Sequence, residues 1–151
     1  MKQGNFSQFI QDVILNASQM AYLEDAQKTH TMLLSFTELY RYLIKPGVTA
    51  TLAEEMNGLK NYIDIQIMRY GDRLNVEFPE ENYDNLSVKH IEIIGYFDNL
   101  LNNALAQYEN RINIVFKIIN QSNAYLKILL NSDNSFEDFS IVLMEEGRSV
   151  V

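Results

Sequence analysis

Apolar residues recur along the first third of the chain at helical spacing. Over residues 6–23, FSQFIQDVILNASQMAYL, a stripe of Phe6, Ile10, Val13, Ala17 and Met20 is widened by Phe9, Ile14 and Leu15. Over 25–44, DAQKTHTMLLSFTELYRYLI, Met32, Phe36, Leu39 and Leu43 line one face, with Leu33 and Tyr40 alongside. Lys45, Pro46 and Gly47 break the pattern, as proline and glycine do at a helix end. A third helix begins after Thr51, a good N-cap, and Glu54 three residues on completes a capping box. Leu52, Met56, Leu59, Ile63, Ile67 and Tyr70 form its apolar face, and Gly71 supplies the residue that ends it.

The period then changes. Leu74, Val76 and Phe78 alternate with Asn75 and Glu77, which predicts a half-buried strand over 73–78. Residues 79–85 are polar and loop-like, and a fourth helix is expected from about Ser87 to Gln107. Ile112, Ile114 and Phe116 alternate as one strand, Tyr125, Ile128 and Leu130 belong to a second, and NQSN at 120–123 makes the turn between them. A last strand is expected over 139–144. Helix-helix, then helix-strand-helix-strand-strand-strand, predicts an α+β fold with helices on one sheet face. The break near residue 47 divides it into a helical hairpin over 1–47 and an α/β domain over 48–151.

Two consecutive helices with wide apolar stripes cannot both be satisfied by each other alone. The favoured solution is a homodimer whose paired hairpins form a four-helix bundle, held by Phe9, Ile10, Val13, Phe36, Leu39 and Leu43. Folding of both helices back onto their own sheet is the alternative.

Charge and composition restrict the partners. The net charge of −8 disfavours nucleic acid and anionic membranes, which both demand local positive charge. With no cysteine there is no disulfide, zinc-thiolate site or thiol nucleophile, in keeping with a reducing cytoplasm. No apolar run approaches the roughly 20 residues that span a bilayer. The opening MKQGNFSQF lacks the basic-then-apolar form of a signal peptide. A cytoplasmic chain without membrane insertion is therefore expected. The nine tyrosines and eight phenylalanines fall mainly on the apolar stripes, which assigns them to core packing.

Residues 51–78, TLAEEMNGLKNYIDIQIMRYGDRLNVEF, closely resemble a segment of bacterial sensor histidine kinases of the LytS/YehU-like group, through L-x-E-E, NY, IQ-x-x-R-Y and GDRL. In that group the segment joins dimerisation helices to the ATP-binding domain. Residues 21–44 resemble the group's second dimerisation helix, and 98–106, DNLLNNALA, is similar to the N-box of Bergerat-type ATPases. The resemblance implies a truncated Bergerat-like α/β sandwich behind a dimerisation hairpin. It places Asn103 at the magnesium-coordinating asparagine and Asn99 at the upstream one. Asparagine is a mediocre helix former, so the crowding of Asn99, Asn102 and Asn103 reads as a relic of that metal site.

The departures from the family pattern carry equal weight. Where the group has N-P-H-F-L-[FY]-N, this chain has Ser7 to Val13 with Phe9 at the histidine position. A phenyl ring has no nucleophilic nitrogen and forms no phosphoramidate. The first glycine box should follow the strand ending near Leu130, where NSDNSF offers Asp133 as the adenine-reading carboxylate but none of the glycines that admit close backbone approach. The second glycine box has no counterpart before Val151. The resemblance therefore implies a non-catalytic regulator or adaptor of two-component signalling, not an enzyme, that needs no cofactor and docks on a response regulator or sensor kinase. The alternatives are an emptied pocket that senses another small molecule, or residual Mg-ATP binding through Asn99, Asn103 and Asp133.

Four titratable residues invite sharper roles. His30, between two threonines, reads as an exposed helical histidine, with a substitute phosphoacceptor as the alternative. His90 reads as a surface or capping residue. Glu54 and Glu55 could be cast as an acid/base pair, yet adjacent helical positions point in different directions, and Glu54 is already a cap partner.

Overall fold

The computed structural model of the chain describes residues 3–79 and 85–145; within α1, the side chains of residues 3–7, 11 and 18, Phe6 among them, lie outside that description. Four helices, α1 (Gln3–Leu23), α2 (Gln27–Ile44), α3 (Leu52–Tyr70) and α4 (Glu92–Gln107), pack with seven strands. The strands are β1 (Thr49–Thr51), β2 (Leu74–Glu77), β3 (Leu86–Lys89), β4 (Ile112–Asn120), β5 (Ala124–Ser132), β6 (Ser135–Val142) and β7 (Met144–Glu145). The fold is α+β, as the change of period implies.

The larger sheet runs β2-β4-β5-β6, with β2 parallel to β4 and the rest antiparallel. Alternation buries Ile112, Ile114, Phe116 and Ile118 of β4 beside Leu126, Ile128 and Leu130 of β5. Phe97 of α4 lies 5.3 Å from Phe116, so α4 covers this face. Lys117, Asn131 and Asp138 on the opposite face are exposed. The smaller sheet, β1-β3-β7, gathers three short antiparallel pieces from distant parts of the chain.

The α1–α2 hairpin folds back on α3 of its own chain. Met32 and Leu39 of α2 and Val13 of α1 have no exposed surface, and the Phe9 ring sits 5.2 Å from that of Tyr62 on α3. The buried stripe of α1 is Phe9, Val13 and Ala17, with Ile10 and Met20 half-buried. Gly58 makes the close approach possible: a Cβ there would lie 2.9 Å from Tyr42 Cδ2 on α2 and 3.0 Å from Ile94 Cδ1 on α4. Thr29 ties the two hairpin helices together by donating its hydroxyl to the Ala17 carbonyl at 3.3 Å. One buried cluster reaches from Phe9 to Leu143, on both sides of residues 45–47.

Three boundaries differ from the sequence expectation. Ser87 lies in β3 rather than at a helix start, because Ile91 adopts a left-handed φ of 72° and α4 begins only at Glu92. The expected strand over 139–144 is β6 from Ser135 followed by β7, since Asp133 and Asn134, at φ of 50° and 63°, close a two-residue hairpin. The strand expected over 73–78 is confined to β2, after a single 3-10 turn over Gly71–Arg73. Most of the loop expected at 79–85 lies outside the described residues.

Candidate functional site

The asparagine-bearing helix α4 is held at both ends and at its middle by residues of the α3 segment. Its N-cap position is Ile91, which has no side-chain acceptor to offer the first free N–H groups. Glu55 of α3 supplies one across the interface. Its Oε1 accepts from the Ile91 N–H at 3.0 Å, and its Oε2 accepts from Ile93 at 2.9 Å and Ile94 at 3.0 Å. A β-branched residue at positive φ costs about 1–3 kcal/mol, and these charge-assisted bonds at the positive helix end offset it.

At the other end of α4, Arg73 Nη2 donates to the Leu105 carbonyl at 2.9 Å and to that of Tyr108, where a cation is favoured. Midway, the Tyr62 hydroxyl donates to Asp98 Oδ1 at 2.5 Å while accepting from Gln66 Nε2 at 2.9 Å. Glu55 and Gln66 are thus polar residues lying on the buried stripe of α3.

Burial governs the titration of this network. Glu55, with no exposed surface, has its carboxyl raised above the ordinary range by burial, against the pull of its hydrogen bonds. Tyr42 donates its hydroxyl to Glu55, and burial followed by that neighbouring carboxylate pushes its pKa upward. Burial and the Asp98 carboxylate do the same to Tyr62. Glu54 differs from its neighbour: bonded to the Lys45 ammonium, it is lowered. It also completes the expected capping box with Thr51, whose Oγ1 accepts from the Glu54 N–H at 3.1 Å.

Asn99, Asn102 and Asn103 are exposed on α4. Asn103 lines an open cleft of about 480 Å³ with Leu100, Ala104 and Gln107 of α4, Leu130 of β5, and Glu137 and Phe139 of β6. Asn99 and Asp133 are not among the cleft's lining residues. Asp133 sits in the β5–β6 turn, where it accepts from the Glu109 N–H at 3.1 Å and from Asn110 Nδ2 at 2.6 Å. It thereby fastens the hairpin tip to the loop after α4. Glu137 accepts the Tyr108 hydroxyl at 2.7 Å, and this bond raises the Tyr108 pKa. Among the described residues no cluster of three or more histidine, aspartate or glutamate side chains could hold a metal ion.

Phe9, which the resemblance sets at the phosphoacceptor position, is 6% exposed and packs on Tyr62. His30 is exposed on α2. His90 is half-buried, its Nε2 2.7 Å from the Tyr42 carbonyl, so Nε2 carries the proton of that bond. Its ring meets the Tyr42 ring edge-on at 4.7 Å. Of the six residues expected to hold a dimer, Phe9, Val13 and Leu39 are covered within one chain, whereas Ile10, Phe36 and Leu43 are half-buried. The exposed apolar residues of the hairpin are instead Ile14, Leu15, Tyr22, Leu23, Leu33, Leu34, Tyr40 and Ile44.

Sequence reasoning gave Glu55 no role beyond a structural one, yet a signal for it exists. The residues at 89–91, Lys-His-Ile, contain no N-cap side chain, and Glu55 falls between Leu52 and Leu59 on the apolar stripe. A carboxylate in the core and a helix start without a cap are two halves of one contact.

No helix among the described residues is long and apolar enough to cross a membrane. No curated protein matches the chain. A family model described as histidine kinase matches residues 7–74, a span that takes in most of α1, all of α2 and α3, and the start of β2. That match supports a histidine-kinase-family relationship for this chain.

Proposed function

We propose that the chain is a non-catalytic regulator of two-component signal transduction, derived from a sensor histidine kinase and acting through its helical hairpin. The observation that carries this reading is Phe9: the residue that the resemblance sets at the family's phosphoacceptor position is a phenyl ring packed on Tyr62, without a nitrogen to accept phosphate. The cleft beside Asn103 supports it further, since its charged lining residue is Glu137, a poor neighbour for nucleotide phosphates. The hairpin would pair with a second chain through Ile14, Leu15, Leu33, Leu34, Tyr40 and Ile44, with Ile10, Phe36 and Leu43 at the margins, and then engage a kinase or response regulator. Apolar side chains left exposed on both helices of the hairpin are what such pairing would cover.

Incubation of the purified chain with labelled ATP and magnesium, alone and with a donor kinase, tests the proposal. The expected result is no phosphoryl label on the chain. Label that disappears in the His30→Ala variant would establish a substitute phosphoacceptor and overturn the reading. The second reading, a small-molecule sensor, is favoured by the same cleft, with its apolar Leu100, Leu130 and Phe139 and its polar Asn103, Gln107 and Glu137. A thermal-shift screen against metabolites would separate the two, because stabilisation by a neutral or cationic ligand is expected only of the sensor.

A further inference from the structure

The outer edge of β6 is the second exposed feature of the molecule, and it lies far from the hairpin in sequence. Strand β6 closes the larger sheet at one end, with β5 on one side and no strand among the described residues on the other. Exposed edges are normally blunted by charged side chains, above all lysine, by proline, a bulge or short length. This one is eight residues long, SFEDFSIV, without lysine or proline, and its two charges are central: Glu137, bonded to the Tyr108 hydroxyl on the inner face, and Asp138 on the outer. Its solvent face carries two large apolar residues, Phe136 at 65% exposure and Val142 at 73%, at either end of Asp138 and Ser140.

We propose that β6 pairs antiparallel with β6 of a second copy, joining two four-stranded sheets into one. Two-fold pairing requires that the residue numbers of opposed partners have a constant sum. Residues directly opposed share a sheet face, so that sum is even. Registers centred on Glu137 or Asp138 oppose like carboxylates and are disfavoured. Centring on Phe139 opposes Phe136 to Val142 of the copy, twice. It also sets Asp138 against Ser140, Glu137 against Ile141, and Phe139 against itself. Every exposed apolar residue of the strand then has an apolar partner, and no carboxylate faces another. This complementarity selects a second copy as the occupant. The two-fold axis is perpendicular to the sheet, so both α4 helices, and both clefts lined by Glu137 and Phe139, lie on the same face of the joined sheet.

The test is a charge swap read by sedimentation over a range of concentrations, on the full chain. Phe136 and Val142 are exposed, so their variants are expected to fold, which circular dichroism checks. Phe136→Lys and Val142→Glu are each expected to weaken self-association by about tenfold. The double variant opposes the introduced ammonium of one copy to the introduced carboxylate of the other and is expected to recover part of that loss. The same series in a Leu34→Glu background separates the edge from any contact made by the hairpin. Single variants that associate as the wild type does, or a double variant no better than either single, would overturn the pairing. A wild type that stays monomeric in both backgrounds would overturn it equally.

Discussion

Helix α4 and the α1–α2 hairpin both pack on α3, but polar bonds hold the first at more points than the second. Polar groups from the α3 segment fix α4 at three points, Glu55, Tyr62 and Arg73, two of them at the helix ends where their charge suits the dipole. The hairpin rests on α3 mainly through a narrow apolar stripe, and α2 starts from Ala26 with no side-chain cap. Eight of the exposed large apolar residues lie on the hairpin, between Ile14 and Ile44, and five in the rest of the described chain, so unsatisfied surface is concentrated on the hairpin. The contrast separates a helix fixed at both ends and its middle by directional bonds from a pair that has one buried bond to α3, Tyr42 to Glu55, and is otherwise held by apolar area. The first leaves one arrangement; the second leaves a face for another partner.

The largest effect is expected at the bond set that defines α4. Glu55→Ala removes the acceptor for three buried or half-buried N–H groups and is expected to cost about 3 kcal/mol in denaturant unfolding. If α4 is instead held by its apolar face alone, the loss will be no greater than for a surface substitution. Next comes the notch where α2, α3 and α4 meet. Gly58→Val drives a side chain into Tyr42 and Ile94 and is expected to destabilise by about 2 kcal/mol.

A smaller effect follows from titration. Burial raises the Glu55 carboxyl above its ordinary value of 4.5, so the folded chain keeps this proton at a pH where the unfolded chain has released it. That contribution to stability is full below the ordinary value and is lost as pH rises through the raised one. The stability of the wild type relative to Glu55→Gln is therefore expected to fall as pH increases from 4.5 toward neutrality, as urea titrations at stepped pH would show. The smallest change in stability is expected on the hairpin. Leu34→Glu should leave unfolding within about 0.5 kcal/mol of wild type, because the side chain is 55% exposed, while lowering the sedimenting mass.

Local chemistry made much of the fold legible. The capping box of Thr51 and Glu54 and the positive φ of Gly71 bracket α3 at the expected places, because each acts within a few residues of itself. Strands β4 and β5 alternate over nine residues each, long enough to show their period. Strands β1 and β3, at three and four residues, are too short to do so. The start of α4 is hidden for another reason: its cap comes from Glu55, 36 residues before Ile91. Asp133 and Asn134 form a favourable hairpin pair, yet they also stand where the resemblance expects a glycine box, and the same short polar run suits both readings. The asparagines of α4 are legible as a group, but which of them meets a cleft depends on β6, which only the assembled sheet reveals.

The make-up of the smaller sheet bears on the order of assembly. Strands β4, β5 and β6 are joined by turns of two or three residues, so the meander forms with little loop-closure entropy. The β1-β3-β7 sheet must wait for three remote pieces, the last of them Met144–Glu145. During synthesis the hairpin emerges well before that strand. About 100 residues separate them, roughly 5–20 s of translation at about 5–20 residues per second. Helix α3 is complete at Tyr70, only about 26 residues after the hairpin, so the apolar stripe it covers is open for roughly 1–5 s of that interval. Neighbouring nascent chains meet with their hairpins wholly uncovered only in those few seconds, and afterwards through the face that the finished molecule also exposes.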